Sequence, residues 1–149
     1  MKEFKGRVIT SGEWSGKAVV STQVVNSLDT YFNGIYKNNK VIVAADASNP
    51  DIYGKMLTSK ALCLPNGSSS SSAGLIIQTL CERKINPAAY LFANHIDAMS
   101  ASGIVLAKVW EESDIICIDQ LGEEFLNTVK TDDEIEIKAD GTVIIKDKE

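Results

Sequence analysis

Apolar positions along this chain fall into short runs separated by Gly, Pro and Asn, with only one stretch of clear helical period. The start, FKGRVITSGEWSGKAVVST, reads as short strands parted by glycine turns, with Gly12, Gly16 and Gly34 marking reversals. Asn26–Gly34 reads as a loop carrying aromatics, Val41–Ala45 as a compact apolar strand, and Asp46–Asp51 as a turn. Ala61–Leu64 is a short buried strand ended by Pro65-Asn66-Gly67. In Ala73–Arg83 the residues Leu75, Ile76, Ile77, Leu80 and Cys81 share one helix face, and Asn86-Pro87 stops the helix. Ala88–Ala93 then predicts a strand, Ile96–Gly103 a short helix, and Ile104–Val109 and Ser113–Asp119 further strands. The tail EIEIKADGTVIIK alternates strictly about Asp140-Gly141 and predicts a hairpin. A β-rich start, alternating strands and helices, and a closing hairpin define an α/β fold class: one domain over residues 1–149 with a mixed sheet.

Composition narrows the function classes. With 44% hydrophobic and 23% charged residues the chain is globular, and its net charge of −5, without a basic stripe, argues against nucleic acid as a partner. No apolar run approaches a membrane span and the N-terminus lacks a signal-peptide core, so the expected setting is cytoplasmic. Cys63, Cys81 and Cys117 are widely spaced, as suits reduced, buried thiols, and give no metal-ligand pattern.

The stretch ALCLPNGSSSSSAGLIIQTL, Ala61–Leu80, carries five serines in a row. A slack linker would join two units able to fold separately, and each half here is too small for a sufficient core. A buried strand leads in and a patterned helix leads out, so the run reads as a tight strand-to-helix loop. Serine is a favoured N-cap, and free N–H groups in a helix's first turn attract anions. Gly67, Ser68, Ser69, Ser71 and Ser72 are therefore candidate anion-binding residues. A hydroxyl held there is placed to bind a carboxylate or phosphate, or to act as a base.

From Gly12 to about Asp119 the chain resembles the small, swivelling-domain subunit of the aconitase X family of hydro-lyases. The pieces that carry the resemblance occur in order. They are GEWSGKA at Gly12–Ala18, SLDTYFNG at Ser27–Gly34, DASNP at Asp46–Pro50, SKALCLPNGSSSSS at Ser59–Ser72, NPAAY at Asn86–Tyr90, and the segment Ile96–Ala107 ending in GIVLA. Counting back from Pro87-Ala88-Ala89 puts the family's catalytic-type serine on Ser70, with Gly67 on its first glycine and Pro65 and Lys60 on the strand before it. Keeping Gly-Ser together would put that role on Ser68. The family's Asp-x-x-His-Pro aligns with Asp46, Asn49 and Pro50, which makes Asp46 and Asn49 candidate substrate-binding residues.

The resemblance implies a swivelling-type β/β/α domain serving as the small subunit of a two-part dehydratase, inactive without a larger partner chain. The serine would remove a proton beside a carboxylate while hydroxide leaves the neighbouring carbon. Substrates of the mevalonate 5-phosphate or hydroxyproline type are implied. No cofactor is expected on this chain; an iron–sulfur cluster or metal is expected in the partner. Two departures stand out. Ser68 and Ser69 replace the family's basic residue and second glycine, and Asn49 replaces its histidine. They favour the alternative of a non-catalytic domain that binds an anion or a partner. A phosphohistidine carrier is disfavoured, since no histidine lies on the loop. His95, the only histidine, reads as structural or surface, and Asp132-Asp133-Glu134 as a solvated turn. Trp14 and Tyr31-Phe32 read as loop aromatics, for a partner surface or for packing.

Overall fold

The structure is a computed structural model and describes residues 1–68 and 71–148. Its elements run β1 (Lys2–Lys5), β2 (Arg7–Thr10), β3 (Trp14–Val20), α1 (Ser27–Tyr36), β4 (Ala61–Leu64), α2 (Ala73–Glu82), β5 (Ala89–Phe92), α3 (Ala98–Trp110), β6 (Ile116–Asp119), α4 (Glu123–Thr128), β7 (Glu134–Ile137) and β8 (Thr142–Ile145).

The strands form one mixed sheet in the order β1-β8-β7-β3-β4-β5-β6-β2. β3, β4, β5 and β6 run parallel, whereas β7, β8, β1 and β2 join antiparallel. β1 and β2 stand at opposite ends of this order yet are separated only by Gly6, so the sheet must roll into a nearly closed barrel. In effect they are two halves of one strand, the first pairing with β8 and the second with β6. β3 is shared in the same way: Trp14–Lys17 pairs with β7, and Ala18–Val20 with β4. Gly6 is packed too closely for a side chain, since a Cβ there would lie 2.4 Å from the Asp119 carbonyl.

Alternation along the parallel strands sorts the core into two clusters. Ala61, Cys63, Ala89, Leu91, Ile116 and Ile118 point into the barrel with hairpin residues Ile135, Ile137, Val143 and Ile145. Leu62, Leu64, Tyr90, Phe92 and Cys117 point outward, under α1, α2 and α3. Both faces of these strands are covered, which is why they read as unbroken apolar runs. The mixed α/β fold and the closing hairpin agree with the sequence reading, and Cys63, Cys81 and Cys117 are all buried.

Several expected elements differ. Asn26–Gly34 is not a loop: Asn26 caps α1 by accepting from Asp29 N–H at 3.1 Å, and Ser27, Thr30, Tyr31 and Gly34 form its buried stripe. That stripe is small and polar, so no apolar period announces it. Gly34 marks no reversal; it lies against Ile42 inside the helix. Gly16 is likewise internal to β3, where its bare Cα makes room for the Trp14 ring. Trp14 thus lies on a strand, and Tyr31 and Phe32 on a helix, Tyr31 buried and Phe32 exposed. Val41–Ala45 joins no sheet. It is an extended segment with one antiparallel bridge, Val43 to Met56, held by Ala44 N–H to Lys55 O and Leu57 N–H to Ile42 O.

Ile104–Val109 is helix, not strand, because α3 runs through Gly103 without stopping. Gly103 is instead a contact point: its Cα faces the Gly74 backbone of α2, where a Cβ would lie 2.4 Å from the Gly74 carbonyl. The Asp132-Asp133-Glu134 turn is only partly solvated, since Asp133 is buried and accepts from Lys130 N–H at 2.8 Å. α4, which carries Phe125 and Leu126 into the barrel cluster, was not expected from the sequence.

Candidate functional site

The carboxyl ends of β3, β4, β5 and β6 lie along one edge, where open α/β sheets usually bind ligands. The serine run follows β4 at this edge and leads into α2. Val25, beyond the end of β3, continues the parallel pairing past the strands. It donates its N–H to Asn66 O at 3.0 Å and accepts from Ser68 N–H at 2.9 Å, a one-residue bridge to Gly67. On the other side Asn94 N–H reaches Pro65 O at 3.2 Å.

Asp97, which the sequence reading passed over, anchors the loop. Its Oδ1 accepts from Gly67 N–H at 3.1 Å and its Oδ2 from Ser100 N–H at 3.0 Å, so one carboxylate caps α3 and holds the start of the serine run. Asn66 completes the clasp, its Oδ1 accepting from Asp97 N–H at 3.0 Å. A side chain at Gly67 would meet Ser100 Oγ at 2.6 Å and Asp97 Oδ1 at 2.8 Å, so only glycine fits between them. An Asp followed by helix-forming residues is an N-cap signal, and that signal could have singled it out.

The sequence-predicted residues divide into groups. Gly67 and Ser68 sit in the clasp; the Ser68 Oγ is buried with no hydrogen-bond partner among the described residues. Ser71 is exposed and Ser72 half-buried. Ser72 occupies the N-cap of α2 without a side-chain cap bond, although its carbonyl accepts from Ile76 N–H at 3.0 Å. The first turn of α2 therefore keeps donors that its cap side chain does not use. Ser69 and Ser70 lie outside the described residues.

Asp46 and Asn49 stand apart from the loop, in the turn after the extended segment. Asp46 Oδ1 accepts from Ser48 N–H at 3.0 Å and from Ser48 Oγ at 2.6 Å, the arrangement of an Asx turn. Asn49 is fully buried; its Nδ2 donates to Ser21 Oγ at 3.0 Å, and its Oδ1 has no partner among the described residues. Ser21 follows β3 and donates to Gln23 O at 2.6 Å, so Asn49 reaches the carboxyl edge through Ser21.

A charged cluster occupies the β6 end of the same edge. Asp119 is fully buried and accepts from Arg7 Nε at 2.9 Å, Arg7 Nη2 at 2.7 Å and Ile96 N–H at 2.8 Å. Burial works against its charge, but the bonds from Arg7 and Ile96 prevail and hold its pKa below the usual carboxylate value. Arg7 Nη2 lies 3.4 Å from His95 Nε2, and His95 Nδ1 lies 2.9 Å from the Ile96 carbonyl. A guanidinium can only donate and a carbonyl only accept, so His95 carries its proton on Nδ1 in this arrangement.

The thiols of Cys63 and Cys117 are pushed far up by burial, and that of Cys81 up for the same reason, which disfavours the thiolate a metal needs. Among the described residues no three His, Cys, Asp or Glu side chains gather as a metal site would require. No helix among the described residues is long and apolar enough to cross a membrane.

Fold and edge together define a small α/β domain with a nearly closed barrel and a serine loop clasped at its carboxyl edge. The family model of the aconitase X swivel domain matches residues 3–145, and the chain belongs to that family. The holo-form crystal structure of Thermococcus kodakaraensis aconitase X is similar over 99% of this chain and 100% of that one, with a TM-score of 0.81 at 22% identity. The solution NMR structure of a UPF0107 protein has a TM-score of 0.77 at 22% identity, covering 98% of this chain and 100% of that one. No curated protein matches the sequence.

Proposed function

We propose that this chain is the swivelling small subunit of a two-part hydro-lyase that dehydrates a hydroxy-carboxylate, such as mevalonate 5-phosphate or a hydroxyproline. The observation that carries this reading is family membership across residues 3–145. The serine run at the carboxyl edge supports it, because the loop is pinned at its start by Asp97 and Val25 and leads into a helix whose N-cap side chain makes no cap bond among the described residues.

A serine of this run, Ser70 by the spacing to Pro87-Ala88-Ala89, acts as its alkoxide, takes the proton from the carbon beside the carboxylate and becomes the neutral hydroxyl. The C–H electron pair forms the new double bond, and hydroxide leaves the adjacent carbon. In this reading Gly67, Ser68, Ser69, Ser71 and Ser72 are the residues that bind the anionic group of the substrate. The larger partner chain carries the remaining contacts and any iron–sulfur cluster or metal. Closure of the small domain over the cleft excludes water and strengthens each polar contact there.

The second reading, a domain that binds an anion or partner without chemistry, is favoured by two departures from the family's motifs. The basic loop residue is absent, with Ser68 and Ser69 in its place, and Asn49 stands where the histidine is expected. The two readings separate in one experiment. The chain is isolated under anaerobic conditions with its copurifying partner, and dehydration is followed in wild type, Ser70→Ala and Ser68→Ala. The hydro-lyase reading expects a large partner and a loss of turnover of roughly 10²–10⁴-fold in one serine variant, with partner binding kept. Isolation of the chain alone, or unchanged turnover in both variants, overturns it.

A further inference from the structure

The serine loop lacks a cation of its own, yet one stands farther along the same carboxyl edge, joined to the loop through residues 94–97. Arg7 lies at the carboxyl edge opposite Asp119, with its side chain 48% exposed. Its Nε and Nη2 are engaged by the buried Asp119 carboxylate, whereas Nη1 has no protein partner among the described residues. A guanidinium fixed along one side presents its remaining N–H groups in a rigid plane, a form suited to carboxylates and phosphates.

The surroundings hold that plane in place. His95 abuts Nη2 through Nε2 and is itself tethered to the Ile96 carbonyl through Nδ1. Ile96 N–H is bound by the same Asp119 oxygen that Arg7 Nη2 engages. His95 also sits within the segment that clasps the serine run: Asn94 before it bonds Pro65, and Asp97 after it bonds Asn66 and Gly67. Two acidic groups of this edge are already occupied by donors of the protein. Asp119 is fully buried with both oxygens accepting, and Asp97 is occupied by the Gly67 and Ser100 amides.

We propose that Arg7 is an oxyanion-binding residue of the carboxyl edge, taking a carboxylate or phosphate group of the substrate beside the serine loop, with His95 and Asp119 as the residues that position it. Arg7 stands in for the cation missing from the loop. The inference rests on the hydro-lyase reading for the identity of the ligand, but the binding itself is measured without turnover.

The test is NMR titration of the ¹⁵N-labelled chain with sodium phosphate and, separately, sodium acetate, each against sodium chloride at equal ionic strength. The expected result is saturable shifts of the Arg7 side-chain N–H signals and the Ile96 and Gly67 amides with at least one of the two anions. The anion that binds more tightly identifies the headgroup class. Arg7→Gln is expected to weaken binding roughly tenfold, the size of a lost charge-assisted hydrogen bond. His95→Ala, an exposed site that leaves the Asp119 pair intact, is expected to weaken it about threefold, within the range of one modest contact. If Arg7→Gln fails to fold, His95→Ala decides. Shifts no different from those with chloride, or saturable binding unchanged in the variants, overturn the proposal. A chain that binds either anion in this way but supports no dehydration together with its copurified partner overturns only the hydro-lyase reading.

Discussion

Asp97 shows how much a single side chain can organise at this edge. Its two oxygens serve different elements: one ends the uncapped start of α3, and the other fixes the amide of Gly67. Replacing it with alanine removes both acceptors while leaving the backbone path possible. Loss of an Asp N-cap costs about 1 kcal/mol, and the Gly67 amide keeps only its second acceptor, Asn66 Oδ1 at 3.1 Å, so Asp97→Ala is expected to lower stability by roughly 1–2 kcal/mol. Urea unfolding measures the loss, and faster hydrogen exchange at Gly67 would locate it. An unchanged Gly67 exchange rate would mean the loop is held by its Asn66, Val25 and Asn94 bonds without help from Asp97. Nothing in the sequence pattern separates this aspartate from the others except its position before Ala98. The link to Gly67 spans thirty residues and depends on β4 and β5 being neighbours.

Among the elements, α2 and α3 make the closest approach, backbone to backbone, at Gly74 and Gly103. In the sequence Gly103 resembles a helix stop, because glycine breaks helices more often than it joins them. Here it leaves room for the backbone of a second helix, and that role is invisible until both are placed. The same limit explains α1, whose buried stripe of Ser27, Thr30, Tyr31 and Gly34 contains one large side chain. Tyr31 secures that helix through a 2.6 Å bond to the Tyr90 hydroxyl of β5, a partner no local pattern reveals. By contrast the parallel strands, α2 and the closing hairpin were legible, since each carries its own apolar period. The serine loop was legible for the same reason, through its flanks. A Gly103→Ala exchange adds helix propensity of about 1 kcal/mol, but its methyl would meet the Gly74 carbonyl, which cannot rotate away. The clash prevails, with an expected net loss of roughly 1–3 kcal/mol by thermal or urea unfolding. A stabilised variant would show that the helices separate freely.

For the molecule as a whole, the two apolar clusters are opposite faces of the same strands. Leu62 and Leu64 belong to the helical side, Ala61 and Cys63 to the barrel side, and all four lie in β4. Neither cluster can be lost without exposing the other, so unfolding is expected to be a single cooperative transition. In a Trp110→Phe variant the remaining Trp14 packs against the barrel cluster, and helical circular dichroism reports the other layer. Coincident urea curves from the two probes are expected; a separation between them would mean that the helices melt from an intact barrel.

The strand divided at Gly6 has a consequence for how the protein is made. Residues 2–5 pair with 142–145, and residues 7–10 with 117–119. A ribosome delivers the first ten residues long before either partner exists. That opening segment must therefore wait, unpaired, while the parallel strands and their helices assemble behind it. It is charged at Lys2, Glu3, Lys5 and Arg7, a composition that keeps a waiting strand in water rather than in another chain's sheet. Closing the barrel along this strand therefore waits for residues 117–119 and 142–145, which lie far downstream of it.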